Sequence, residues 1–146
     1  MSDSDLIKLY SGRILELAAS IPHQGRLAAP MGSSRKRSAL CGSIVTVDVN
    51  LAEGRVSGFA QDVKACALGQ AAAAVLGGAI LGRSRPELEA ARAALTGMLK
   101  NAGPVPLPPF AGYEVLLPAR DYKNRHASIL LALDAACEAV AQAEGV

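Results

Sequence analysis

The sequence predicts an α+β domain: a small antiparallel sheet of about three strands, packed on one face by several helices. Three observations predict it. The stretch Ile44 to Asn50 alternates apolar and polar residues as a strand does. The run that opens at Cys66 is Ala-rich and long enough for a helix. The segment Arg125 to Ala143 repeats apolar residues at helical spacing. At 146 residues the chain fits a single domain, 1–146, with one core. A hydrophobic content of 51% argues against disorder. Aromatics are only 3% and Trp is absent, so Ala, Leu and Val must fill the interior and helices can approach closely.

Taken in order, Asp3 to Ala19 reads as a helix, with Leu6, Leu9, Ile14 and Leu17 near helical spacing and Asp3 and Asp5 at its favourable end. Ile21-Pro22-His23-Gln24-Gly25 breaks it, and His23 is expected at the surface. Residues 25–37, rich in Gly, Ser, Pro and Arg, read as a loop with room for one short strand. In IVTVDVN, Val45, Val47 and Val49 share one face, and Thr46 and Asp48 share the other, as in a half-buried strand. Glu53-Gly54 offers a turn, and Arg55 to Val63 reads as the antiparallel partner. The helix from Cys66 is weakened near Gly77-Gly78. Ser84-Arg85-Pro86-Glu87 matches a capping box with Pro in the first turn, opening a helix over about 85–100 that ends near Asn101 and Gly103. Gly103 to Gly112 holds too many prolines for regular structure. The last helix carries Ile129, Leu130, Leu133, Ala136, Cys137 and Val140 on its apolar side, which makes Cys137 a buried, inert thiol.

Charge excludes some functions. Fifteen basic and 13 acidic residues give a net charge of +2, too little to imply nucleic acid. The basic cluster Arg35-Lys36-Arg37 reads as a solvated loop, with partner docking as the alternative. The first residues lack the basic and apolar stretches of a signal peptide, and the most apolar window, Ala65 to Gly82, is too weak for a membrane span. A cytoplasmic location with no membrane contact is therefore expected. Reduced cysteines follow from that, so metal or catalytic uses outrank disulfides.

Three residues could carry chemistry: Cys41, Cys66 and His126. Each sits at the boundary of an element, which is how a zinc or iron site is assembled from a discontinuous sequence. Cys66 stands where a strand pattern gives way to a helix pattern, and the free N–H groups of a helix N-terminus favour a thiolate. No CxxC is present, so the spacing alone leaves inert cysteines as the competing reading. A thiol enzyme with Cys66 as nucleophile and His126 as base is a third reading, though nothing supplies an orienting acid.

Cys41-Gly42 before an alternating strand, then a hairpin, then Cys66-Ala67 opening a helix, resembles the iron–sulfur cluster assembly scaffolds of the NifU N-terminal, IscU and SufU type. Arg125-His126-Ala127-Ser128-Ile129-Leu130 resembles that family's last-helix motif, in which a basic residue and often a His precede a Cys-Ala/Ser-x-Leu run. Asp5-Leu6-Ile7-Lys8-Leu9-Tyr10 through Ile14-Leu15 resembles its first helix. Two departures stand out. The family's Asp after Cys-Gly is Ser43, and its third Cys falls on His126 or Ala127. Leu107-Pro108-Pro109 is similar to a chaperone-recognition tripeptide but lies well upstream of the usual place, so chaperone binding is not carried over.

The resemblance implies a non-enzymatic scaffold that takes sulfur from a cysteine desulfurase, binds iron and passes a transient iron–sulfur cluster to apo-protein acceptors. Cys41, Cys66 and His126 would be the ligands, with Ser43 and Arg125 as additional candidates. The departures imply an alternative: a degenerate relative that binds zinc or no metal and acts as an interaction or regulatory module.

Overall fold

A computed structural model of the chain describes residues 11–40 and 42–145. Its elements run α1 (Gly12–Ala19), β1 (Gly32–Arg37), β2 (Ile44–Ala52), β3 (Arg55–Lys64), α2 (Ala67–Ala79), α3 (Arg85–Lys100), a 3-10 helix (Ala111–Asp121), a short 3-10 turn (Lys123–Arg125) and α4 (His126–Ala143). The sheet is antiparallel throughout, with β2 between β1 and β3. The alternation in β2 buries Val45, Val47 and Val49, and α4 packs across β1 and β2. Helix α2 packs on both α1 and α4, and α3 also packs on α4. The α+β architecture is thus the one the sequence predicts. No helix among the described residues is long and apolar enough to cross a membrane.

Close approach of β1 to α4 depends on a missing side chain. A Cβ on Gly32 would stand 2.0 Å from the Ala139 carbonyl oxygen, so a backbone-to-backbone contact fixes the strand on the helix. Once there, β1 is held by pairing with β2, Arg35 opposite Thr46 and Lys36 opposite Val45. Arg35-Lys36-Arg37 is therefore not a loop: it is the end of an edge strand, whose charged side chains discourage further pairing.

Other expectations need correction. The helix over Asp3–Ala19 is not continuous, because Ser11 is extended and its hydroxyl accepts the Ile14 N–H as an N-cap. The part from Asp3 to Tyr10 lies outside the described residues. Helix α2 runs through Gly77 and Gly78 and ends directly after them, at Ala79. A Cβ on Gly77 would meet the Gln61 side-chain nitrogen at 2.9 Å and the Pro22 carbonyl at 3.1 Å, so the glycine is there for packing. The Ser84–Glu87 capping box forms as expected. The 3-10 helix over Ala111–Asp121 has no counterpart in the sequence reading, and Pro118 inside it excludes an ordinary α-helix.

The outer side of the sheet is not all solvent. Asp48 is fully buried there, with Arg26 reaching over it through Nε at 2.7 Å and Nη2 at 3.1 Å. The Leu27 N–H and the Ser33 hydroxyl also donate to the Asp48 carboxylate. Residues 23–27 are laid along the sheet by this carboxylate and by backbone bonds between His23, Gly25 and Gln61.

Candidate functional site

The segment between β1 and β2 is a tight loop. The Ser38 N–H donates to the Ser43 carbonyl at 2.8 Å, and the Gly42 N–H donates to the Ser38 carbonyl at 2.9 Å. Closing this loop needs Gly42 at φ +71°, a conformation that costs a side-chain-bearing residue about 1–2 kcal/mol. The Cys-Gly dipeptide is thus explained on its glycine. Cys41 itself lies outside the described residues.

At the other end of the hairpin, β3 stops at Lys64 and α2 begins at Ala67. Cys66 is the N-cap of α2, in extended conformation, half-buried, and its side chain makes no capping bond. Its Sγ lies 3.5 Å from the Ser128 hydroxyl instead. That hydroxyl lies 3.1 Å from the Ser43 hydroxyl, and both serines are buried. Space for the contact comes from Gly69, one turn along α2, where a Cβ would stand 2.7 Å from Ser128 Oγ. The starts of β2, α2 and α4 therefore meet at one buried serine. Ser128 was not singled out as a site residue from the sequence. The available signal was a lone hydroxyl beside Ile129 and Leu130 in an otherwise apolar helix.

His126 opens α4, where it is buried. Its Nε2 lies 3.1 Å from the Ala119 carbonyl and 2.9 Å from the Arg120 carbonyl. Carbonyls only accept, so Nε2 carries a hydrogen and donates, and a neutral ring keeps its lone pair on Nδ1. Arg125 is half-exposed and its backbone N–H donates to the Tyr122 carbonyl. Ala127, between His126 and Ser128, is exposed. Among the described residues, no three His, Cys, Asp or Glu side chains gather closely enough to hold a metal ion, and Cys41 is not in that set.

The remaining candidates lie apart. Cys137 is buried, and burial pushes its thiol up to about 11, with Arg92 opposing and Asp134 and Glu89 reinforcing the shift. His23 is exposed and turns its ring edge to Phe59, centroids 5.8 Å apart. No histidine hydrogen-bonds to Cys66 among the described residues, so no nucleophile–base pair is formed there.

Comparison with solved structures gives close likenesses. A nitrogen-fixing NifU-like protein (N-terminal) from Brucella abortus shares 44% identity over 97% of this chain and 98% of its own, with a TM-score of 0.93. A structure from Fervidobacterium islandicum AW-1, described as an iron–sulfur cluster assembly scaffold protein for the SUF system, is 18% identical over 92% of this chain and 98% of its own. Its TM-score of 0.81 shows the same fold. No family model and no curated protein matches the chain.

Proposed function

The chain belongs to the NifU-like family, and we propose that it is a scaffold on which an iron–sulfur cluster is assembled and from which it is released. The cluster is cargo, not a resident cofactor, so its site has to be accessible and its ligands few. The meeting of three chain boundaries at Ser128 carries this reading. Cys66 is brought within one hydroxyl of Ser43, two residues beyond Cys41.

In this reading Cys41 and Cys66 are thiolate ligands and His126 is an imidazole ligand. A [2Fe–2S] cluster wants four ligands, and His can replace Cys on an iron. The hydrogen bonds from His126 Nε2 to the Ala119 and Arg120 carbonyls support the third assignment. A metal-binding histidine generally donates its other ring N–H to such a group, which fixes the tautomer that coordinates. Here the coordinating atom would be Nδ1. Ser43 and Ser128 are poor ligands, since an alcohol is not readily deprotonated. They contribute hydrogen bonds that hold Cys66 in place. Sulfur would come from a cysteine desulfurase and the finished cluster would go to apo-protein acceptors, with Arg125 and the basic end of β1 as docking elements. The chain would catalyse no reaction of its own.

One observation favours the second reading, a degenerate relative that holds zinc or no metal. The position open to solvent at the start of α4 is Ala127, which has no donor. The experiment that separates the two is anaerobic reconstitution with iron and sulfide, followed by metal and sulfide analysis. We expect stoichiometric iron and sulfide in the native chain, lost in Cys41→Ala and Cys66→Ala and reduced in His126→Ala. Zinc alone, or metal content indifferent to Cys41→Ala, would leave the degenerate reading in its place.

A further inference from the structure

A groove of about 700 Å³ follows α4 from Ala127 to Ala141, with the end of β1 on one side and α3 on the other. Its volume is that of a small-ligand site, about 300–1,000 Å³. Three of its charged groups are already satisfied: Lys36 pairs with Glu138, and Glu89 pairs with Arg85, which stands outside the lining. Arg37, Arg92 and Lys100 have no ion pair among the described residues, and the carboxylate left to face them is Asp134. Three unpaired cations against one carboxylate leave room for about two negative charges. The buried Leu130 and Leu131 give the floor an apolar strip.

The position of the groove matters as much as its charge. Its lining includes Ser38 and Ala39, just before Cys41, and the exposed Ala127, just before Ser128. Ala127 carries no donor of its own, although it is exposed between His126, whose Nε2 is held by the 3-10 helix, and Ser128, whose hydroxyl meets Cys66. A donor at that point has to come from outside the chain, and the approach to it runs through a cationic groove.

We propose that a small thiol carrying carboxylates binds in this groove, its carboxylates on Arg37, Arg92 and Lys100 and its sulfur beside Ala127. The proposal rests on the scaffold reading above and names the ligand that reading leaves missing. The groove's volume and its cations suit a tripeptide-sized thiol with two carboxylates.

The test uses no metal. In Ala127→Cys, the new thiolate attacks oxidised glutathione, forming a mixed disulfide and releasing one reduced glutathione. Steering by the groove should make this about tenfold faster than reaction with the uncharged hydroxyethyl disulfide, each rate normalised to a free thiol in solution. Peptide mapping separates modification at position 127 from that at Cys41 and Cys66. Adding Arg92→Glu and Lys100→Glu should abolish the preference, whereas Arg13→Glu on α1 should leave it. In the native chain, reduced glutathione should shift the amide resonances of Ala127, Arg92 and Lys100 saturably, and S-methylglutathione should do the same. Equal rates for the two disulfides, or a preference that survives the double charge reversal, would overturn the proposal. A chain that passes these tests but takes up no iron or sulfide with dithiothreitol present would sink the scaffold reading instead.

Discussion

At Gly69 two effects of an added methyl group oppose each other. Alanine is the better helix former by about 1 kcal/mol, which would stabilise α2. Against this, the new Cβ would stand 2.7 Å from Ser128 Oγ and 2.8 Å from Ala65 Cβ. Overpacking of that kind costs about 1–3 kcal/mol. Because Ser128 is buried against Ser43 it has nowhere to swing, so the steric term should win. Gly69→Ala is expected to destabilise the fold by about 1 kcal/mol net in chemical denaturation. Ser128→Ala in the same chain should recover part of the loss. Strict additivity of the two changes would mean that Gly69 does not serve to admit Ser128. At this scale the sequence was legible where chemistry coincided with a boundary, as at Cys66, which stands at the N-cap position of α2 without a side-chain capping bond. Ser128 was not legible, since one hydroxyl in an apolar helix reads as tolerated polarity until its partners on β2 and α2 are known.

Helix α3 shows how much one element can be read from four residues. The Ser84 hydroxyl accepts the Glu87 N–H, and the Glu87 carboxylate accepts the Ser84 N–H, as the capping box predicts. That backbone bond is the largest cause holding the Glu87 carboxyl below its ordinary value, with Arg55 and Arg83 adding to it. Loss of the cap in Ser84→Ala should cost about 1 kcal/mol, measured as a lower denaturation midpoint at unchanged slope. Glu87→Gln keeps a capping acceptor and loses only solvent-screened ion pairs, so it should cost less. A larger loss in Glu87→Gln than in Ser84→Ala would show that the charges, not the cap, start this helix. Elements without a local signal were missed for a related reason. Gly-Ser-Ser-Arg-Lys-Arg has no apolar alternation, and β1 exists because β2 and α4 offer it a partner and a surface. The 3-10 helix over Ala111–Asp121 buries Tyr113, Leu116 and Ala119, a strict three-residue period that matches neither strand nor α-helix and that Gly112 and Pro118 further disguise as loop.

Across the whole molecule, Asp48 ties together parts that no sequence pattern connects. It stands on the central strand, takes Arg26 and Leu27 from the segment that crosses the sheet, and takes Ser33 from β1. Burial alone would push its carboxyl up, but the hydrogen bonds from Arg26, Ser33 and Leu27 outweigh it and hold the group below its ordinary 3.8. A carboxyl held low in the folded state contributes stability that is complete above its unfolded value and is lost as pH falls through its folded one. The difference in unfolding free energy between the native chain and Asp48→Asn should therefore be constant from neutral pH down to about 5 and shrink below about 4. At neutral pH that difference should be about 2 kcal/mol, the worth of hydrogen bonds to a charged acceptor with Arg26 itself open to water. Arg26→Ala leaves the carboxylate buried with two of its donors, so it should lose a comparable amount and steepen less on acidification. A gap that stayed open at low pH would mean that Asn fails for its shape and not its charge. Because β1 reaches the sheet through Ser33 and α4 through Gly32, loosening Asp48 should also loosen the strand that borders the groove and leads to Cys41. Amide exchange in Gly32–Arg37 should rise in Asp48→Asn before that of β3 does, since β3 keeps its full pairing with β2.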